Sequence, residues 1–364
     1  MSSSLLRRGG RWRLTSVAAL AAILTITGCA STGASDKPAT SSSQAPAGAL
    51  PAAEGTTAYP LKLTTWAGES TLTKRPERIA VIGLNPNADA LQALNVTPVY
   101  TLTDDPAAPW RDQAWLKKIE KVDTATRRDP INFEGIAAAK PDLIVAVGAL
   151  EGKPDYTKLT AIAPVLDTKE EAAEITWQDL QRLIGQTLDL TAASDKLVAS
   201  AEQAIADVAK AHPEFAGKTI AIANDYGPQY GLSYYTIADT FTEAVMLKLG
   251  FVAHPNAKKF VDEDVISDEN LGLLDADILV VTYVSDEVRK AREAKPLFKS
   301  IKAVSDGRYV PLTLAKDDST KLVTTAGKQV DNATWVLRAG ASTASLPWAV
   351  KAVADQWLAG AKLS

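Results

Sequence analysis

The 364-residue chain has one cysteine, two histidines and two methionines, and each scarcity removes a class of chemistry. A lone thiol, Cys29, cannot close an intramolecular disulfide. His212 and His254 each precede a proline and lack the paired imidazoles that a zinc site needs, so no directly bound metal is expected. There is no Gly-x-Ser-x-Gly elbow and no Walker loop, and neither histidine lies beside a plausible nucleophile; the Gly227 to Gly231 spacing lacks a phosphate-binding lysine. The acid pairs Asp104–Asp105 and Asp317–Asp318 fall in loop-like stretches where they could bind a cation, but read as solvated loop acids. The chain is therefore expected not to be an enzyme and to carry no cofactor. Positive charge is not in excess either, with a formal net charge of −4, which argues against nucleic acid as a partner.

Long hydrophobic runs are also missing. The most prominent one, Val17 to Ile26, is too short to span a bilayer, and it follows Arg7, Arg8, Arg11 and Arg13 and precedes "ITGC" at positions 26–29. This is the layout of a secretion signal over residues 1–28. "ITGC" resembles the lipobox of bacterial lipoproteins, which implies cleavage before Cys29 and its acylation by palmitate-type chains, enough to hold the protein at a membrane surface. Loss of residues 1–28 removes four arginines and no acid, taking the formal charge to −8. Residues 29–59, rich in Ser, Ala, Thr, Pro and Gly without apolar periodicity, read as a tether. The expected location is the extracytoplasmic face of the cell membrane.

What the rest of the chain has is a regular alternation. "RIAVIGL" (78–84), "TPVYTL" (97–102) and "DLIVAVG" (142–148) are short continuous apolar runs separated by helical patterns. The same grammar returns in "TIAIAND" (219–225), "DILVVTYV" (277–284) and "RYVPLT" (308–313). Continuous apolar strands between helices predict parallel sheets covered on both faces. "EGIAAAKPDLIVAV" from Glu134 aligns with "ENLGLLDADILVVT" from Glu269 at an offset of 135, setting Asp142 on Asp277. The fold expected is α/β, two Rossmann-like lobes (60–175 and 213–364) bridged by a helical segment over 176–212. Ser194 is the expected N-cap of a long inter-lobe helix whose apolar stripe runs Leu197, Val198, Ala201, Ala204, Ile205 and Val208.

Tyrosine is concentrated. Tyr226, Tyr230, Tyr234 and Tyr235 are four of the nine in the chain, within "YGPQYGLSYY" directly after a predicted strand. Ligands of open parallel sheets sit beyond the strands' carboxyl ends, so this loop is expected to wall a binding site, although one of the adjacent pair Tyr234–Tyr235 should point into the core. Other candidates at such positions are Asn85, Asn87, Trp110, Arg111, Arg128 (with its neighbour Arg127), Tyr283, Trp335 and Arg338. Arginine recognises oxygen-rich anions through a planar fork and stacks on aromatic rings, and Trp335 and Arg338 share a helix face.

Five blocks carry a resemblance: "RPERIAVIGLNPNADALQALNVTPV", "NFEGIAAAKPDLIVA", "YTKLTAIAPVL", "ISDENLGLLDADILVV" and "PLFKSIKAVSDGRYVPL". In this order they resemble the substrate-binding lipoproteins of iron-siderophore and cobalamin ABC importers, over roughly residues 74–360. The resemblance implies two lobes joined by a long helix, a small-molecule iron chelate held between them, and delivery to an ABC importer permease by a monomeric receptor. It further implies that Glu134 and Glu269 dock on the permease, while their positions at helix starts also suit capping. A haem or cobalamin receptor of the same fold, with tyrosinate as a possible haem ligand, and a cell-envelope adaptor without a transport role remain open alternatives.

Overall fold

A computed structural model describes residues 50–83, 85–103, 106–124, 129–150, 152–171, 175–338 and 340–361. Cys29 and the expected signal peptide lie outside the described residues. Among the described residues no helix is long and apolar enough to cross a membrane.

The described chain opens with an antiparallel hairpin, β1 (Leu61–Thr65) and β2 (Gly68–Leu72). Five strands then build an all-parallel sheet: β3 (Ile79–Val81), β4 (Tyr100–Leu102), β5 (Lys121–Asp123), β6 (Leu143–Val145) and β7 (Val165–Leu166), in the order β5-β4-β3-β6-β7. The central β3 and β6 are buried throughout, as two covered faces demand of a continuous apolar run. The second sheet has seven strands: β8 (Ile220–Asp225), β9 (Leu232–Tyr234), β10 (Val265–Ile266), β11 (Ile278–Tyr283), β12 (Tyr309–Leu314), β13 (Lys321–Thr324) and β14 (Gln329–Asp331). Its order is β10-β9-β8-β11-β12-β13-β14; the β8, β11 and β12 centre is parallel, while β9, β10, β13 and β14 add antiparallel margins that the sequence pattern did not announce.

The two aspartates aligned by the internal repeat do the same work. Asp142, just ahead of β6, accepts hydrogen bonds from the Glu77 and Arg78 amides at 2.9 and 2.8 Å, at the entry to neighbouring β3. Asp277, just ahead of β11, accepts from the Thr219 amide at 2.8 Å at the entry to neighbouring β8. Each carboxylate satisfies backbone donors that the sheet edge would leave unpaired.

Between the sheets the expected helical segment is two helices, Trp177–Thr187 and Thr191–Ala211. The second has 21 residues and is about 30 Å long at 1.5 Å per residue. Its buried stripe of Val198, Ala201, Ile205 and Val208 joins the core of the second lobe, while Ala193 and Leu197 pack on the first, so one rigid element belongs to both. Ser194 is not its cap. It lies inside the first turn, wholly buried against Gly185, where an added Cβ would stand 1.8 Å from the Ser194 Oγ. The cap comes from far away, because the Glu54 carboxylate accepts from the Ala192 and Ala193 amides at 2.7 and 2.9 Å. Asp189 in turn accepts from the amides of Gly55, Thr56 and Thr57. The last residues assigned to a tether, 50–59, thus include a segment fastened to the folded body, which begins earlier than the composition of residues 29–59 suggested.

Candidate ligand-binding site

The carboxyl end of β8 is where the chain must turn, and the turn is built for close approach. Asp225 is buried, and its Oδ1 accepts from the Gly227 amide at 3.0 Å. Tyr226 donates its amide to the Gly231 carbonyl and Gly231 returns one to Gly227 at 2.7 Å, with both glycines at positive φ (85° and 77°). The chain then re-enters the sheet as β9, so successive side chains alternate faces. Tyr234 is fully buried against Phe260, ring centroids 4.3 Å apart, whereas Tyr235 points to the other face. Tyr230 stands at the tip of the turn, 65% exposed.

The Tyr226 and Tyr235 hydroxyls are hydrogen-bonded to each other. Arg338, at the end of the helix Thr334–Arg338, donates from Nη1 to the Tyr226 hydroxyl at 3.0 Å and lies over the Tyr235 ring, 5.5 Å from its centroid. One turn earlier Trp335 is half-exposed. These side chains share a cavity of about 220 Å³ with Asn224, Thr282, Tyr283, Val284, Leu314, Leu322, Asn332 and Thr334. No carboxylate lines it, and among the described residues Arg338 has no ion-pair partner. Burial, and then the hydrogen bond with Tyr226, pushes the Tyr235 hydroxyl well above the ordinary phenol range. Burial does the same to Tyr283, whose hydroxyl meets that of Tyr309 at 2.6 Å. Both therefore present neutral phenols, hydrogen-bond donors rather than phenolates.

The first-lobe candidates are placed differently. Asn85 accepts from the Thr103 hydroxyl, and Asn87 donates to the carbonyls of Ile82 and Val147; both are buried. Arg111 pairs with Asp89 at 2.7 Å with both side chains wholly buried, so its guanidinium is committed inside the protein. The Trp110 indole donates to the same carboxylate at 2.9 Å and its ring packs on Trp348. Ser342 donates to Asp89 as well, which joins the chain's last segment to the first lobe. Burial pushes the Asp89 pKa up, and Arg111 and the hydrogen bonds oppose it. Arg128 lies outside the described residues. Asn224, Thr282, Asn332 and Thr334 were not singled out in the sequence, although three of these four follow or end strands.

A larger depression of about 430 Å³ is lined by His212, Glu214, Asp355 and residues 358–361. It has no aromatic wall, and both ring nitrogens of His212 are already bonded to carboxylates, Glu214 and Asp355, each at 2.9 Å. The tyrosine cavity is the better candidate on chemistry.

Glu134 and Glu269 are both exposed. Glu134 is in the first turn of the helix Phe133–Ala138, whose cap Asn132 is tied to Asp123 at the carboxyl end of β5. Glu269 follows the carboxyl end of β10, which runs in the direction of β8 because two antiparallel pairings separate them. Each acid is therefore on the carboxyl-end side of its own sheet, which in the second sheet is the side that holds the cavity.

Two α/β lobes joined by a long helix, with an aromatic cavity at strand ends, have the architecture of a substrate-binding protein. The chain belongs to the periplasmic binding protein family, whose model matches residues 81–313. Solved structures agree on the fold. PiaA from Streptococcus pneumoniae TIGR4 in complex with ferrichrome is 25% identical, with a TM-score of 0.59, over 80% of this chain and 99% of that one. SirA from Staphylococcus aureus complexed with staphyloferrin B is 17% identical, with a TM-score of 0.59, over 81% and 97%. The Bacillus subtilis (strain 168) protein YhfQ, described as a putative ABC transporter substrate-binding lipoprotein, is 33% identical over 99 residues. That match spans 27% of this chain and 30% of YhfQ, under a third of the relative's length.

Proposed function

We propose that this protein is a lipid-anchored, extracytoplasmic receptor that captures a ferric siderophore at the carboxyl ends of β8, β11 and β12 and delivers it to an ABC importer permease. The observation that carries the reading is the group formed by Arg338, Tyr226 and Tyr235. A guanidinium without a carboxylate partner among the described residues, steered by one phenol and laid over another, suits an anionic or oxygen-rich ligand, and the aromatic rings supply stacking area. Trp335 completes the wall. Ferrichrome in PiaA and staphyloferrin B in SirA are ligands of this chemical kind in proteins of the same fold. Capture is by a monomer, anchored through Cys29 and docked on its permease through Glu134 and Glu269, whose positions on the carboxyl-end side of the two sheets suit contact with one partner surface.

The test is tryptophan fluorescence of the purified protein titrated separately with ferric hydroxamate, catecholate and carboxylate siderophores, haem and cobalamin. Saturable quenching by one iron chelate, with inner-filter correction, supports the reading and names its class. Saturation by haem or cobalamin alone replaces the cargo. No saturable binding rejects the receptor and favours an adaptor of the cell envelope.

A further inference from the structure

The turn that carries Tyr226 is connected to the loop that carries Glu269, and the connection passes through one side chain. Asp225 uses Oδ1 to fix the Gly227 amide and Oδ2 to accept from the Arg292 Nε at 2.7 Å, with 1% and 10% of the two side chains exposed. From the same guanidinium, Nη1 donates to Asp268 Oδ1 at 2.9 Å, and Lys295 holds the other Asp268 oxygen at 2.5 Å. Asp268 immediately precedes Glu269 in the same helical turn. Arg292 sits on the helix Asp286–Ala294 that follows β11, so the link crosses three chain segments that are not neighbours in sequence.

We propose that Arg292 is a positioning residue that holds the cavity turn Tyr226–Gly231 and the docking loop at Glu269 in a fixed mutual arrangement, through Asp225 on one side and Asp268 on the other. The inference rests on the assignment of the cavity as ligand site and of Glu269 as docking acid. Its physical content is a planar guanidinium with two differently directed N–H groups, each committed to a different carboxylate; lysine, a point charge, cannot reproduce that fork. Because the Asp225 carboxylate also fixes the Gly227 amide, a disturbance at Asp268 reaches the backbone of the cavity turn by way of a buried ion pair. Coupling of this kind is reciprocal, so a ligand that orders the turn also orders the docking loop.

Amide hydrogen exchange of the full chain tests this without ligand or permease, which separates its failure from failure of the receptor reading. Asp268→Asn is the informative variant, since Asp268 is half-exposed and its loss does not empty a core. The expected result is faster exchange, by roughly fivefold or more, at Gly227 and Gly231 as well as at Asn270. Arg292→Lys should accelerate the same amides. Asp286→Asn, which breaks an exposed pair with Arg289 on the same helix, should leave Gly227 and Gly231 unchanged. Acceleration confined to residues 267–270 in Asp268→Asn would overturn the proposal, as would an equal effect of Asp286→Asn on the cavity turn.

Discussion

In the proposed receptor, Arg338 is the residue on which recognition turns. A charge-assisted hydrogen bond contributes about 1.5–3 kcal/mol, so Arg338→Ala should weaken binding of the cognate chelate roughly 10- to 100-fold. Tyr226→Phe removes the hydroxyl that steers the guanidinium but keeps the ring, and should cost less; paired titrations of the two variants check the order. His212 makes a separate prediction. Burial disfavours its charge, but the hydrogen bonds it donates to the Glu214 and Asp355 carboxylates outweigh this and raise its pKa above the ordinary 6.5. Lys351 also lies 3.7 Å from Asp355. A raised folded-state pKa means stabilisation that is full below pH 6.5 and lost as pH rises through the folded value. Urea unfolding at pH 6 and pH 9 should show the wild type losing more stability than His212→Gln over that interval. The cavity tyrosines were legible as residues because they crowd a glycine-bounded loop after a strand. Arg111 and Trp110 were candidates too, but their partner Asp89 is twenty-one positions from Trp110 and Ser342 is 253 from Asp89, and only tertiary folding brings these groups together.

At the scale of elements, the inter-lobe helix depends on two contacts that no periodicity reveals. Gly185→Ala would force a methyl into the Ser194 side chain and the Leu190 carbonyl, prising the two central helices apart. The expected cost is about 1–3 kcal/mol, read from the urea midpoint. Glu54→Ala removes the carboxylate on the helix N-terminus and should cost about 1 kcal/mol by the same measurement. Continuous apolar runs announced β3, β6, β8 and β11 because burial on both faces excludes polar side chains until the strands' carboxyl ends. The strands β5, β7 and β10 are only two or three residues long, too short to hold a period, and β9 is held by pairing with β8, which depends on tertiary contact. The long helix was legible from its stripe, but its start was not, since the capping group lies in a stretch whose composition reads as tether.

The whole molecule is two versions of one α/β design, with Asp142 and Asp277 performing one task twice, and with an exposed acid at the carboxyl-end side of each sheet. If Glu134 and Glu269 dock on the permease, Glu134→Ala and Glu269→Ala should together abolish cellular uptake of the iron chelate while purified protein binds it as before. Equal loss of binding would instead make them ligand or stability residues. The central claim, that the Tyr226–Tyr235–Arg338 cavity captures an iron chelate, is tested most directly by equilibrium dialysis of radioactive iron complexed with the tightest-binding siderophore, against wild type, Arg338→Ala and Glu134→Ala. The account predicts one chelate retained per wild-type molecule, undiminished retention by Glu134→Ala, and at least about tenfold weaker retention by Arg338→Ala. Retention by Arg338→Ala equal to wild type would contradict it.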